Sequence, residues 1–363
     1  MEEKNINDVE LEKERREQER KERRKRRKYR LLILLLLLFG TGVMLATSTY
    51  AWFTSNKNVS VNPITVNIEA KNGIQISADG TNWKSIVQTS DLSGVHSTTY
   101  TTSVNQIPAI LEPVSTIGVA DSNGKLPMYY GTVVTSESEE NNGEYILTSV
   151  KTADEVDGTG ASNTGKFIAF DLFFKTAAST DLYLVAGSGA TTSDTTDTGI
   201  KNASRIAFVI EGNTTSGDTV PNIQALNGGT TAPVYIWEPN YDVHTAAGVS
   251  AARDIYGLTT TQTGGSALAY SGVMAPIAEA NDVLLGDATE ANYEALFKTV
   301  TPQYTTVEGF TAYKQIFSLS AGITKIRIYM WVEGQDVDCE NNASGGSITF
   351  DLKISTEDPA ATS

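Results

Sequence analysis

The sequence predicts an all-β fold, an antiparallel β-sandwich with loop and helix insertions, preceded by a charged helix and one hydrophobic helix. Three observations predict it. Leu31–Thr54 reads LLILLLLLFGTGVMLATSTYAWFT, directly after a basic block at Arg20–Arg30. From Val59 onward the apolar residues recur with period two. Near the C-terminus two runs alternate strictly: Ile326, Ile328, Met330 and Val332, then Ile348, Phe350, Leu352 and Ile354. Period-two alternation is the signature of a strand with one buried face, as in antiparallel sheets.

Residues 1–30 read as a charged cytoplasmic helix. Glu12 and Arg16, Glu17 and Lys21, Glu19 and Arg23, and Glu22 and Arg26 all hold the favourable i,i+4 order, and no apolar stripe offers a core face. Residues 31–51 are a transmembrane helix or a signal peptide. The apolar run Leu31–Tyr50 is long enough to cross a bilayer as a helix. Nine Lys or Arg between Arg20 and Arg30 keep the N-terminus in the cytoplasm and send the rest outward. Thr49 and Ala51 are small residues suited to signal-peptidase cleavage between Ala51 and Trp52. Retention is the alternative, with Tyr50, Trp52 and Phe53 as an aromatic belt.

Residues 52–62 follow as an extended linker or a donor strand. Trp52, Phe53, Val59 and Val61 are apolar, and no turn partner precedes Pro63. Such a segment either holds the body off the membrane or adds to an exposed sheet edge of another copy.

Residues 63–356 are the extracytoplasmic sandwich, and 357–363 a tail. Ile64–Ala70 and Ile74–Ala78 flank Asn72-Gly73, which predicts a hairpin. Strands are expected at Met128–Val134 and Tyr145–Val150, with the acidic loop Ser136–Glu144 between them. A second hairpin is expected from Ile168, Phe170, Leu172 and Phe174 to Leu182 and Leu184, turning at Ala177–Thr180. Arg205–Glu211 and Pro233–Trp237 are further strands, separated by a long Gly-rich loop. The region 240–310 is a loop-and-helix insertion. Asp287 with Glu290 there makes a capping-box-like start, and Tyr293, Leu296, Phe297 and Val300 share one face. The terminal runs form a third hairpin, expected as the central pair of the main sheet, with Arg327, Tyr329, Trp331 and Glu333 on its wetter side. Burying each of the eight apolar side chains of that pair stabilises by roughly 1.5–3 kcal/mol before entropy.

Composition narrows the function. The chain has 28 Lys or Arg against 43 Asp or Glu, and residues 1–30 hold 13 of the former and 9 of the latter, so the exported body is strongly acidic. Clustered Lys and Arg are needed to neutralise phosphates, so no nucleic-acid partner is expected. One cysteine, Cys339, excludes an intramolecular disulfide and is expected at the surface.

The junction Ser48-Thr49-Tyr50-Ala51-Trp52-Phe53-Thr54 resembles the small-aromatic-Ala-x-Phe junction of the TasA/camelysin group of Firmicutes surface and biofilm-matrix proteins. The extended Val59–Ala70 adds to the likeness. Trp331-Val332-Glu333-Gly334 with Ser347–Ser355 is similar to the end of a related set of clostridial-type surface proteins. The resemblance covers about 30 residues closely and is architectural elsewhere. It implies a jelly-roll-like sandwich, a dedicated signal peptidase, and, in fibre-forming members, an N-terminal strand given to a neighbouring copy. The long charged N-region and larger body depart from that group.

Camelysin-like members are classed as metallopeptidases, but the chain has no H-E-x-x-H, and its two histidines, His96 and His244, are far apart in sequence. No G-x-S-x-G elbow marks a nucleophile. No enzymatic activity and no resident cofactor are expected. Asp336, Asp338 and Glu340 place oxygens at alternate positions, as a calcium loop does, although Asn341 and Ser347 stand where an EF-hand carries Gly and Glu. A plain polar loop is the other reading. Tyr235, Trp237 and Tyr241 are aromatic enough to contact sugar or to pack at a strand edge.

The expected role is a bacterial cell-surface structural protein, a biofilm-matrix or fibre subunit that pairs with itself by strand donation. The alternative is a membrane-tethered adhesin whose sandwich loops bind a glycan or surface protein. Its partners would be the bilayer, through Leu31–Tyr50, and other copies of itself.

Overall fold

The computed structural model describes residues 59–61, 65–68, 74–92, 98–135, 145–152, 164–195, 198–249, 283–284, 300–334, 336, 338–339 and 345–356, all within the unit Ala51–Ser363. They form a mostly antiparallel all-β body with few and short helices. The strands are β1 (Val59–Val61), β2 (Thr65–Ile68), β3 (Gln75–Ser77), β4 (Ile110–Leu111), β5 (Ser115–Thr116), β6 (Met128–Thr135), β7 (Tyr145–Lys151), β8 (Thr164–Gly165) and β9 (Ile168–Thr176). They continue with β10 (Thr180–Leu184), β11 (Gly189–Thr191), β12 (Ser204–Thr214), β13 (Val234–Pro239), β14 (Val283–Leu284), β15 (Tyr304–Thr306), β16 (Lys314–Leu319), β17 (Gly322–Val332) and β18 (Ser347–Ser355).

Three sheets result. A six-stranded sheet runs β15-β13-β12-β17-β9-β3. An eight-stranded sheet runs β16-β10-β18-β1-β4-β8, with β11 and β2 also on β18, and a four-stranded sheet runs β14-β7-β6-β5. The main core lies between the first two. Ile168, Phe170 and Leu172 of β9, Ile206 and Phe208 of β12, and Ile326, Ile328 and Met330 of β17 share one apolar cluster with Ile348, Phe350, Leu352 and Ile354 of β18. The alternation read from the sequence is thus the alternation that builds this core.

The strand partners are another matter. β2 pairs β18 while β3 pairs β9, so these two strands are not hairpin partners. β9 pairs β17, but β10 pairs β16 and β18 in the facing sheet. β17 lies between β12 and β9, whereas β18 lies in the eight-stranded sheet. Each of the three expected hairpins is therefore an arch from one wall of the sandwich to the other. The physical reason is simple: two strands facing one core from opposite walls carry the same pattern as two strands side by side. The strands expected at Met128–Val134 and Tyr145–Val150 form as β6 and β7, and they pair antiparallel from Tyr129↔Lys151 to Thr135↔Tyr145.

The expected wetter face of β17 is also corrected, since every residue of β17 is buried. Val114, Ala120, Leu126 and Met128, from the segment that leads into β6, cover that side together with Phe167. They pack on Ala169, Ala207, Val209, Tyr329 and Trp331, and the Leu126 N–H donates to Tyr329 Oη at 3.1 Å. Both faces of the six-stranded sheet are therefore occupied, and the second one holds charge.

Candidate functional site

Two features stand out: the edge of β18 and the charged face of the six-stranded sheet. On β18, Ile354 pairs Leu184 on one side and Ile68 on the other. Asp351 likewise pairs Gly189 and Thr65. The chain β10–β11 fills one edge, antiparallel. The N-terminal segment fills the other in parallel, with β1 at Ser60↔Ser347 and Val61↔Ile348 and β2 from Thr65↔Asp351 to Ile68↔Ile354. The far side of β1 pairs antiparallel with β4, at Val59↔Leu111 and Ser60↔Ile110. The backbone of Val59–Val61 thus sits in a slot between two other strands of its own chain. Sequence reasoning found no partner for this segment because its partner comes almost three hundred residues later. Ala51, Trp52 and Phe53 lie outside the described residues, as do Leu31–Tyr50, the acidic loop Ser136–Glu144, His96 and the helix expected from Asp287. Among the described residues no helix is long and apolar enough to cross a membrane.

The charged face has two networks. At one end, Arg205 on β12 is 2% exposed, and its Nη2 reaches Asp336 Oδ2 at 2.6 Å and Glu238 Oε1 at 2.8 Å. Arg205 Nη1 donates to the carbonyls of Ser204 at 3.0 Å and Asn202 at 3.3 Å. Beside them, His244 Nδ1 lies 2.7 Å from Asp338 Oδ2, and Asp338 Oδ1 accepts from the Thr245 N–H and hydroxyl. Trp331 Nε1 donates to Glu333 Oε2 at 3.1 Å. Burial alone would lower Arg205, but the Glu238, Asp336 and Glu333 carboxylates hold it raised. Burial raises Glu238 and Asp338 above the ordinary carboxylate range, and the Arg205 and His244 charges only partly offset this. Burial would also lower His244, but the bond to Asp338 outweighs it and its pKa is raised.

Two carboxylates of the candidate calcium loop have partners within the chain. Asp336 and Asp338 are turned inward onto Arg205 and His244, because a buried carboxylate needs a cation and donors, and the chain supplies both. Glu340 lies outside the described residues. Among the described residues no group of three or more His, Cys, Asp or Glu could hold a metal ion. Cys339, expected at the surface, is buried. Two of the three aromatic candidates pack into or against the core, while Tyr241 is half-buried outside it. Trp237 is fully buried and donates Nε1 to Thr306 Oγ1 at 3.0 Å, while Tyr235 stacks between Tyr304 and Phe317.

The second network was missed by sequence reasoning. Asp171 on β9 is 0% exposed and sits opposite Arg327 on β17. Arg327 Nη1 lies 3.4 Å from Asp171 Oδ1, Lys325 Nζ lies 3.6 Å from Oδ2, and Tyr100 Oη donates to Oδ2 at 2.9 Å. The Asp171 N–H donates to Asn105 Oδ1 at 3.0 Å. Lys325 Nζ also donates to the carbonyls of Gln224 at 2.9 Å and Leu226 at 3.1 Å. Glu211 on β12 accepts from the Gly228 N–H at 3.0 Å. Burial would raise Asp171, but Lys325 and Arg327 hold it below the ordinary range. Glu211 is pushed up by burial to about 7. The only sequence signal was the presence of Lys325 and Arg327 on β17 and Asp171 and Lys175 on β9, opposite the apolar alternation, which reads equally well as a solvated face.

No family model, curated protein or solved structure matches the chain.

Proposed function

We propose that this chain is a bacterial cell-surface structural protein, a fibre or biofilm-matrix subunit that assembles by exchanging its N-terminal strand. One observation carries the reading: β1 fills a slot between β18 and β4 through backbone pairing on both sides. Withdrawing the 59–68 segment would leave the β18 edge and the β4 edge open at once. Open edges are templates for an added strand, and the best-fitting strand is the same segment from another copy. Backbone hydrogen bonds would supply affinity, with Trp52 and Phe53 extending the donated segment if the chain is cleaved after Ala51. Leu31–Tyr50 would act as the export signal or anchor, leaving the body outside the cell as a jelly-roll-like sandwich whose arches join facing sheets.

The register supplies the test. Ser60 pairs Ser347, so a Ser60→Cys/Ser347→Cys chain reports which copy fills the slot. Oxidation of material collected from the cell surface is expected to give a ladder of covalent multimers. A product that is entirely an internally bridged monomer, from surface material as well as from dilute solution, would remove strand exchange.

A further inference from the structure

Lys325 and Asp171 meet on the covered face of the six-stranded sheet, and Glu211 stands on the same face of the next strand, β12. Lys325 and Asp171 are diagonal neighbours, because β17 and β9 pair Arg327 with Asp171 and Lys325 with Phe173. Glu211 lies in the bulge of β12 opposite Lys325, where the register shifts between Ile210↔Ile326 and Gly212↔Lys325. Asp171 is fully buried and Lys325 is 8% exposed. Lys325 Nζ is 5.7 Å from the centroid of the Tyr100 ring and 6.0 Å from that of Phe173, which shield it from water. A lysine this buried, 3.6 Å from a carboxylate on the neighbouring strand, is either a salt bridge or the precursor of an amide.

The geometry points to the second: Lys325 and Asp171 form an intramolecular amide cross-link between β17 and β9, with Glu211 as the proton carrier. The step balances without any co-reactant. A proton passes from the Lys325 ammonium to the Asp171 carboxylate, giving an amine and an acid. The Nζ lone pair then attacks Asp171 Cγ. Tyr100 Oη, already donating to Oδ2, and Arg327, beside Oδ1, stabilise the oxyanion as it develops. The Cγ–O bond breaks, one oxygen leaves as water, and the amide nitrogen loses a proton. Glu211, which burial holds partly protonated near neutral pH, can give the proton to the leaving oxygen and receive the one from nitrogen. Condensation of amine and acid is unfavourable in bulk water. Two effects reverse that here: the fixed positions replace a bimolecular encounter, and the covering layer keeps water away from the product. The cross-link would close the chain between residues 171 and 325 and join the middle of the sheet covalently. In a chain without a disulfide it would be a covalent brace inside the core.

The test is the mass of the full chain under denaturing conditions, with its N-terminus read in the same spectrum, followed by peptide mapping. Wild type is expected to be lighter than its sequence by one water, with a branched peptide joining the segments that carry Lys325 and Asp171. Lys325→Met is expected at its full sequence mass. Glu211→Gln, which preserves both reacting residues, is expected to form the cross-link about a hundredfold more slowly while folded. Its unreacted fraction, followed over time at several pH values, is a readout that a purely structural glutamate would not move. Wild type at full sequence mass, with Lys325 and Asp171 in separate unmodified peptides, overturns the proposal. A water deficit that persists in Lys325→Met overturns it as well, because the loss then arises elsewhere.

Discussion

His244 Nδ1 stands 2.7 Å from Asp338 Oδ2 in a cluster where Asp336, Glu238 and Glu333 are also buried and Arg205 is the permanent cation. The pair ties the segment after β13 to the loop after β17. Because the folded-state pKa of His244 is raised above 6.5, its contribution is fully present below that value. It is lost as pH rises through the higher folded value. Urea unfolding of wild type is therefore expected to show stability falling above neutral pH. His244→Gln should remove most of that slope and cost about 2–4 kcal/mol at pH 5.5. Identical slopes in the two proteins would sink this assignment.

Arg205 should be the costliest single position of the same cluster. Replacing it leaves Asp336 and Glu238 buried without their cation, and a buried pair broken on one side costs about 3–5 kcal/mol. Arg205→Met keeps the bulk of the stem, so the loss read by chemical denaturation belongs mainly to the charge. A cost under about 1 kcal/mol would refute this assignment.

Asp79 gives the opposite pH response. Burial pulls its pKa upward, but the N–H groups of Thr81 and Asn82 and the hydroxyls of Thr99 and Ser77 lower it to about 2. A depressed carboxylate contributes stability above its unfolded value, near 3.8, and loses it as pH falls toward 2. Asp79→Asn should cost about 1–2 kcal/mol at pH 6 and almost nothing near pH 2. Melting curves of the two proteins across that range should converge in acid; parallel curves would refute the assignment.

Gly322 opens β17 at φ +111°, and an added Cβ would stand 2.1 Å from the carbonyl oxygen of Thr214. The obstacle is backbone at the far end of β12, so no rotamer can relieve it. Gly322→Ala is expected to lower stability by about 2–4 kcal/mol through strain and a displaced β12–β17 end. Gly217, whose added Cβ would meet nothing within 4 Å, is the control. Gly217→Ala should change stability by less than about 0.5 kcal/mol.

The sequence by itself determined the all-β class, the apolar face of strands such as β9, β12, β17 and β18, and the existence of β6 and β7. Side-chain alternation is a local property, so Ile326, Ile328 and Met330, or Ile348, Phe350 and Leu352, could be assigned to a core without knowing its far wall. Tertiary structure alone decided which strands touch. The three expected hairpins became arches because hydrogen-bond partners are chosen by the path of the whole chain, and β1 found its place only beside β18 and β4. Tertiary structure also decided the fate of the charged residues. Arg205, Asp171, Arg327 and Glu333 look solvent-facing one at a time, since an isolated charge stays in water. They are buried here because partners distant in sequence cancel and hydrogen-bond them.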